Sequence, residues 1–310
     1  MKCSYCNNEV FYVRRYSGEK LCQKHFIETF IDKVAKTISE NRLLNWNDSI
    51  MVAVSGGKDS LTALHVLSII EKDFPSTKLF AVTIDEGISG YTEFRVKHTR
   101  ELCEKLGIPY YVFRYEDFYG YRLEEIVKIA KEKGSKLEPC SYCGVLRRKL
   151  LNMVAKKLNA TKVVTGHNLD DEVQTFMINM LRGDLDRIIR GFAPVIPKEG
   201  FVPRIKPLKY IYEEEIMIYA TLHDFPLFET ECRFVKLSMR DSIRKILNEL
   251  EAENPGAKYM ILITAEKIAK SFIETKKDFK LNYCKSCGEP TSQELCRACS
   301  LLEEIGIVMQ

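Results

Sequence analysis

The sequence has no apolar run approaching the ~20 residues that a membrane-spanning helix needs. No hydrophobic signal region follows the first residue: Met1-Lys2-Cys3-Ser4-Tyr5-Cys6 is polar and carries cysteine. A soluble cytoplasmic protein with no membrane partner is therefore expected. Strong charge of either sign is also lacking, since 47 Lys and Arg stand against 43 Asp and Glu, for a net charge of +4. That mild excess is compatible with nucleic acid but does not require it. The Walker A spacing G-x-x-x-x-G-K-[ST], which grips the β/γ-phosphates of a nucleotide, is absent too. Cysteine, by contrast, is plentiful, with 11 in 310 residues. In a reducing compartment this argues for metals and reactive thiols rather than disulfides. With 45% apolar residues the chain can bury one full α/β core and still carry small appended modules.

One stretch organises the rest. Ile50-Met51-Val52-Ala53-Val54 has strand character and stops abruptly in Ser55-Gly56-Gly57-Lys58-Asp59-Ser60, after which an amphipathic run begins at Leu61. This predicts a buried strand, a tight turn and a helix N-terminus. Gly56 and Gly57 permit positive φ and close approach to the backbone. Free N–H groups and the positive end of the helix dipole favour an anion such as phosphate. Lys58 adds mobile positive charge, and Ser55 and Ser60 add hydroxyls. An ordinary strand–turn–helix junction would need the glycines but not the Ser, Lys and Asp around them.

From Ile50 to about Leu227 predicted strands and helices alternate, which implies a mainly parallel sheet covered by helices on both faces. Strands are expected at Lys78–Ile84, Tyr110–Phe113 and Lys162–Thr165; helices at Phe26–Leu44, Tyr91–Leu106, Leu123–Lys133, Gly144–Leu158 and Tyr212–His223. Ser238–Ile273 is helical with a break near Asn254-Pro255-Gly256. Ligands in such folds sit beyond the C-terminal strand ends. Three of these ends carry small or polar residues: Ser55–Ser60, Ile84-Asp85-Glu86-Gly87, and Gly166-His167-Asn168-Leu169-Asp170-Asp171-Glu172. Asp170 and Asp171 also suit a helix N-terminus without any further role. His167 alone reads equally well as a structural histidine.

The remaining chemistry is in cysteine spacing. Cys3 and Cys6 are followed by Cys22 and His25, and near the other end stand Cys284, Cys287, Cys296 and Cys299. Each set offers four N/S ligands in paired knuckles, as a tetrahedral structural Zn²⁺ requires. The domain boundaries follow: an N-terminal zinc module 1–26, a main domain 27–235, a helical segment 236–280 and a C-terminal zinc ribbon 281–310. Lys276, Lys277, Lys280 and Lys285 crowd the ribbon's entrance and suit phosphate. Cys140-x-x-Cys143 precedes a basic helix carrying Arg147 and Arg148. Such a pair can be a redox couple, half a zinc site or cluster ligands. Spacing alone does not join Cys232 to it, and Cys103 reads as a small buried residue on a helix. Further basic clusters are Arg182, Arg187 and Arg190, then Arg204, Lys206 and Lys209, each compatible with a solvated surface.

Ser55–Ser60 matches S-G-G-x-D-S of the pyrophosphate-loop superfamily. Together with the paired knuckles, Ile84–Ile88, Cys140-x-x-Cys143, Gly166–Glu172 and the ribbon, it makes nearly the whole chain resemble the tRNA 2-thiouridine synthetases. Leu181–Asp184, Pro203–Tyr210 and Glu229-Thr230-Glu231-Cys232 resemble the archaeal and cytosolic wobble-uridine group (position 34), with thiolation at position 54 as the runner-up. The resemblance implies a Rossmann-like α/β fold and an enzyme that adenylates the uridine C2 oxygen, releases pyrophosphate and inserts sulfur as AMP leaves. It implies that Ala53, Val54, Ser55–Ser60, Ile84, Asp85, Gly166, His167 and Asp171 hold ATP. Asp59 would carry Mg²⁺, Lys58 would meet developing charge, and Asp171 would act as a base or orienting carboxylate. Cys140, Cys143 and Cys232 resemble the ligands of a 4Fe-4S cluster with one open iron; in a cluster-free version Cys143 or Cys232 carries a persulfide. Arg147, Arg148, Arg182, Arg204 and Lys206 would meet tRNA. Cofactors are then ATP, Mg²⁺, two Zn²⁺ and one 4Fe-4S cluster. The partners are tRNA, a sulfur donor (sulfide, persulfide or a ubiquitin-like thiocarboxylate protein) and a second copy in a homodimer. A non-catalytic zinc-stabilised RNA-binding protein would share the metal modules and basic patches. An amide-forming ATP pyrophosphatase would share the loop but have no use for the three cysteines.

Overall fold

The computed structural model describes residues 1–194, 199–225, 232–234, 239–273 and 282–308. In chain order the elements are β1 (Tyr12–Arg14), β2 (Glu19–Leu21), α1 (Gln23–Glu40), β3 (Ser49–Ala53), α2 (Lys58–Ile70), β4 (Lys78–Asp85), α3 (Thr92–Leu106), β5 (Tyr110–Arg114), α4 (Tyr115–Tyr119), α5 (Leu123–Glu132), α6 (Pro139–Lys157), β6 (Lys162–Thr165), α7 (Leu169–Leu181), α8 (Leu185–Phe192), β7 (Arg204–Ile205), α9 (Glu213–Leu222), α10 (Met239–Glu253), α11 (Ala257–Ile273), β8 (Asn282–Tyr283), β9 (Pro290–Thr291) and α12 (Arg297–Glu303). No helix among the described residues is long and apolar enough to cross a membrane.

Five strands form one sheet in the order β5-β4-β3-β6-β7, every neighbouring pair parallel. The period-2 alternation of strand side chains sorts the core. Ile50, Val52, Ala81 and Val164 face a cluster built with α1, α2 and α9. Met51, Val82, Ile84 and Val163 face a second, built with α4, α5, α6 and α12. A third cluster joins α7 and α8 to the α10–α11 hairpin. The chain leaves β3 toward β4 and β5, then returns to β6 on β3's other side, so the crevice between the ends of β3 and β6 is the switch point where ligands collect.

Three expectations need correction. The helix after the loop begins at Lys58 rather than Leu61, so half of the loop motif lies in its first turn. Similarly α6 begins at Pro139, which places Cys140 and Cys143 inside its first two turns rather than ahead of it. Proline at the first helical position explains the early start, because its missing N–H is one no helix partner would use. Gly56 has φ of +80°, but Gly57 has φ of −82° and is extended, so only the first glycine uses left-handed freedom. The edge strand β7 and the short helices α4 and α8 were not foreseen, being too short to show a period. Glu229-Thr230-Glu231 and the lysines Lys276, Lys277 and Lys280 lie outside the described residues.

Candidate active site

The loop after β3 is shaped by sterics and hydrogen bonds before any ligand is considered. A Cβ on Gly56 would lie 2.6 Å from Arg95 Cβ, and one on Gly166 would lie 2.8 Å from the backbone of Asp59 and Ser60. The lack of a side chain thus lets Gly56 lie against α3 and lets Gly166, just past β6, lie against the backbone of the first turn of α2. Ser60 Oγ donates to Gly57 O at 2.9 Å and accepts from Ser55 N at 3.2 Å, closing the turn. Thr83 Oγ1 from β4 donates to Val54 O at 2.7 Å. No side chain caps the N-terminus of α2, which leaves its first amides facing the crevice.

Charged side chains converge on this cradle. Lys58 Nζ donates to Asp59 Oδ2 at 3.1 Å and to Glu213 Oε1 at 2.7 Å. Asp59 Oδ1 accepts from Asn168 Nδ2 at 2.8 Å. The adjacent aspartates of α7 have different surroundings. Asp170 is buried, accepting from Glu213 N at 2.8 Å and from the buried Lys258 Nζ of α11. Asp171 is half-buried at the crevice, with Arg240 Nη1 at 3.5 Å. Burial, then the charge of Asp59, pushes the Asp171 carboxyl up to about 6, with Arg240 opposing. His167 sets its Nδ1 2.9 Å from Thr165 Oγ1. Asp85 Oδ1 accepts from Gly87 N at 2.8 Å and turns the chain at the end of β4.

Cys140, Cys143 and Cys232 gather at the same end of the sheet. Cys143 and Cys232 both pack against the α5–α6 core, and Cys140 Sγ lies 3.7 Å from Phe234 O, two residues past Cys232. Burial pushes the Cys143 thiol up to about 11, against the pull of Arg147, with Glu86, Cys140 and Cys232 adding to the rise. Burial and then the Cys232 charge raise Cys140 as well. Tyr91 connects this group to the loop. Its ring lies 4.0 Å from the Arg95 guanidinium, which donates to Ser55 O at 3.3 Å. Burial raises the Tyr91 phenol, Arg95 opposes, and Cys232 and Glu86 raise it further.

The expected tRNA contacts separate into two kinds. Arg147 donates to the buried Glu86 at 3.2 Å, and Lys206 is paired with the buried Glu172 at 2.7 Å. Arg148 and Arg204 lie near each other, and burial followed by the Arg148 charge lowers Arg204. Arg182 is exposed at the end of α7.

Both terminal cysteine sets are preassembled, the four ligand atoms of each lying within 4.8 Å of one another. His25 Nδ1 lies 3.4 Å from Cys3 Sγ and 3.3 Å from Cys22 Sγ, while Nε2 faces Glu28 at 3.7 Å. A ligating histidine is oriented in just this way by a carboxylate on its other nitrogen. Against the effect of burial, the Tyr5 and Cys22 amides draw Cys3 down to about 6. Burial likewise opposes, and the Cys296 amide favours, a Cys284 thiol lowered to about 6. Lys149 Nζ of α6 lies 3.6 Å from Cys296 Sγ and 3.2 Å from Cys299 Sγ. The donor sets and their spacing fit a tetrahedral metal ion.

Sequence reasoning missed Asn168, Glu213, Arg240, Lys258 and the Glu86–Arg147 pair as parts of this site. Glu213 had a sequence signal, as one of three acidic residues opening α9, but that signal pointed to the helix dipole rather than to Lys58.

A family model described as a PP-loop domain matches residues 26–250. A probable sulfurtransferase from Methanocaldococcus jannaschii is 38% identical over 97% of this chain and 87% of its own length. The cytoplasmic tRNA 2-thiolation protein 1 of Chlamydomonas reinhardtii is 34% identical over 97% and 84%. Among solved structures, the U34-tRNA thiolase NcsA from Methanococcus maripaludis with its [4Fe-4S] cluster superposes with a TM-score of 0.86 at 33% identity, covering 99% of this chain and 97% of that one.

Proposed function

We propose, from the premise that this chain belongs to the PP-loop family of tRNA 2-thiolation proteins, that it is an ATP-dependent tRNA-uridine 2-sulfurtransferase acting at wobble position 34. The observation that carries this reading is the convergence of the loop after β3, Asp171 after β6 and the three-cysteine group at one end of the sheet.

In this mechanism the uridine C2 oxygen bonds to the α-phosphorus of ATP. The bond from that phosphorus to the bridging oxygen breaks, and its electron pair leaves on pyrophosphate. The loop amides, Ser55, Gly56, Gly57 and Ser60 hold the pyrophosphate; Ala53, Val54, Ile84, Asp85, Gly166 and His167 line the nucleotide. Lys58 meets charge developing on the leaving group, and Asp59 would hold a Mg²⁺ ion that neutralises phosphate charge. Asp171 takes the N3 proton of the uridine, and its raised pKa suits a base near neutrality. Hydrosulfide then adds at C2, AMP departs with its electron pair, and the sulfur's proton passes to N3. A 4Fe-4S cluster held by Cys140, Cys143 and Cys232 would supply an open iron for that sulfur.

The proposed organisation is an N-terminal zinc module 1–26, a catalytic domain 27–235, a helical segment 236–280 and a C-terminal zinc ribbon 281–310, with one Zn²⁺ in each terminal set. Arg148, Arg182 and Arg204 contact tRNA phosphate, and Arg147 and Lys206 reach it only by leaving their carboxylates. The proposal includes a cytoplasmic homodimer and a sulfide, persulfide or thiocarboxylate donor.

The test is anaerobic incubation of the purified chain with MgATP, sulfide and tRNAs altered at position 34 or 54. AMP, pyrophosphate and 2-thiouridine at position 34 are expected. ADP and phosphate, or thiolation only at position 54, would overturn the corresponding part of the reading.

A further inference from the structure

Glu213 opens α9, far along the chain from the loop, yet its Oε1 lies 2.7 Å from Lys58 Nζ. This is closer than the 3.1 Å between Lys58 and its own neighbour Asp59. The carboxylate is held in place from behind. Asp170 Oδ2 accepts the Glu213 backbone N–H at 2.8 Å and so satisfies one of the exposed amides opening α9. The other Asp170 oxygen is bound by Lys258 Nζ, which also reaches Asn248 Oδ1 at 2.6 Å. Lys258 and Asp170 are both buried. A continuous chain of contacts therefore runs from the α10–α11 hairpin through Asp170 and Glu213 to Lys58, and on through Asp59 to Asn168.

A long ammonium side chain on an uncapped turn has many rotamers, and fixing it beforehand removes an entropic cost from the step in which it acts. Asp59, itself tied to Asn168, supplies one contact to the ammonium at 3.1 Å, and a single contact leaves the side chain free to pivot about it. Glu213 approaches from a different element with its own anchor. We propose that Glu213 is a positioning residue for adenylation, holding the Lys58 ammonium where negative charge develops on the departing pyrophosphate. This inference rests on the pyrophosphate-releasing reading above. In this role Glu213 acts through Lys58, its observed partner.

The experiment measures pyrophosphate release by the full-length protein with MgATP and an unmodified tRNA transcript, in a double-mutant cycle of Glu213→Gln and Lys58→Met. Glu213→Gln keeps the shape and loses the charge. Its kcat is expected to fall about tenfold or more while the KM for ATP changes by less than about threefold, since Lys58 acts mainly in the transition state. In the Lys58→Met background the same change should have almost no further effect. Glu213→Asp should recover part of the loss, and it replaces Glu213→Gln in the cycle if the glutamine variant fails to fold. An unchanged kcat, or a full additive loss in the Lys58→Met background, would overturn the proposal. Release of ADP and phosphate by the wild-type protein would instead overturn the functional reading on which it depends.

Discussion

Asp170 and Asp171 are neighbours of identical chemistry that take different work from their surroundings. Asp170 is neutralised by Lys258 and caps α9. Asp171 has Arg240 Nη1 at 3.5 Å and accepts the Asn168 amide at 3.4 Å, yet burial and the charge of Asp59 raise its carboxyl to about 6. If Asp171 is the base, its ionised form is the active one. Adenylation should then rise with pH to a plateau, with half the rate near pH 6, and Asp171→Asn should remove that limb and lower the plateau by roughly 10²–10⁴-fold. The effect on stability has the opposite sign. A carboxyl whose folded pKa exceeds its unfolded value keeps its proton longer in the fold, so its contribution is greatest below the unfolded pKa and is lost as pH rises through about 6. Asp171→Asn should therefore raise Tm relative to wild type more at pH 8 than at pH 5. A fall in Tm across that range would mean that the carboxylate is structurally required.

At the scale of elements, α6 carries three kinds of chemistry on one rod. Its first two turns present Cys140 and Cys143, its third sends Arg147 to Glu86, and its middle sends Lys149 to the ribbon thiols. Further on, Asn152 and Lys156 both contact Glu289 between the two cysteine pairs of the ribbon. Ala298, Leu301 and Leu302 of α12 pack in the same core as Leu146 and Leu150. The C-terminal ribbon is thus seated on the helix that bears Cys140 and Cys143. A cluster needs all three cysteines, whereas a persulfide relay needs two and leaves the third dispensable. Alanine at Cys140, Cys143 or Cys232 should each abolish iron binding, the visible charge-transfer band and thiolation, while tRNA affinity stays within a few-fold. Full activity in an iron-free protein would leave the relay standing.

Across the whole molecule, a buried carboxylate joins the N-terminal unit to the α/β domain beside the apolar packing of Leu21 and Phe26. Glu215 of α9 is fully buried and meets Arg14 Nε at 2.7 Å, Lys33 Nζ at 3.2 Å and Tyr16 OH at 3.1 Å. Tyr16 also stacks on Tyr212, with ring centroids 4.7 Å apart. Removing the anion would leave the buried Arg14 uncompensated except by Glu19, and breaking a buried pair in this way typically costs about 3–5 kcal/mol. Glu215→Gln should lower the denaturant midpoint accordingly, checked by urea unfolding. A loss below about 1 kcal/mol would show that water or Glu19 replaces the contact.

The sequence by itself determined the parts whose partners lie within a turn or a strand. The loop Ser55–Ser60, the alternation of strands and helices, the paired knuckles and the helix start at Asp170 and Asp171 were all legible, because a fixed local spacing sets their geometry, whereas the cap Asn168 was not read. Tertiary structure decided the rest. Lys58 and Glu213 are 155 residues apart, and Asp170 and Lys258 are 88 apart. Cys140 and Phe234, beside Cys232, are separated by 94 residues. No spacing rule joins such pairs. They meet because apolar faces choose which helix lies on which strand, and the charged groups carried along then find their partners at the ends of β3 and β6. The same packing separates Asp170 from Asp171, since a helix turns about 100° per residue and aims one toward the interior and the other into the crevice.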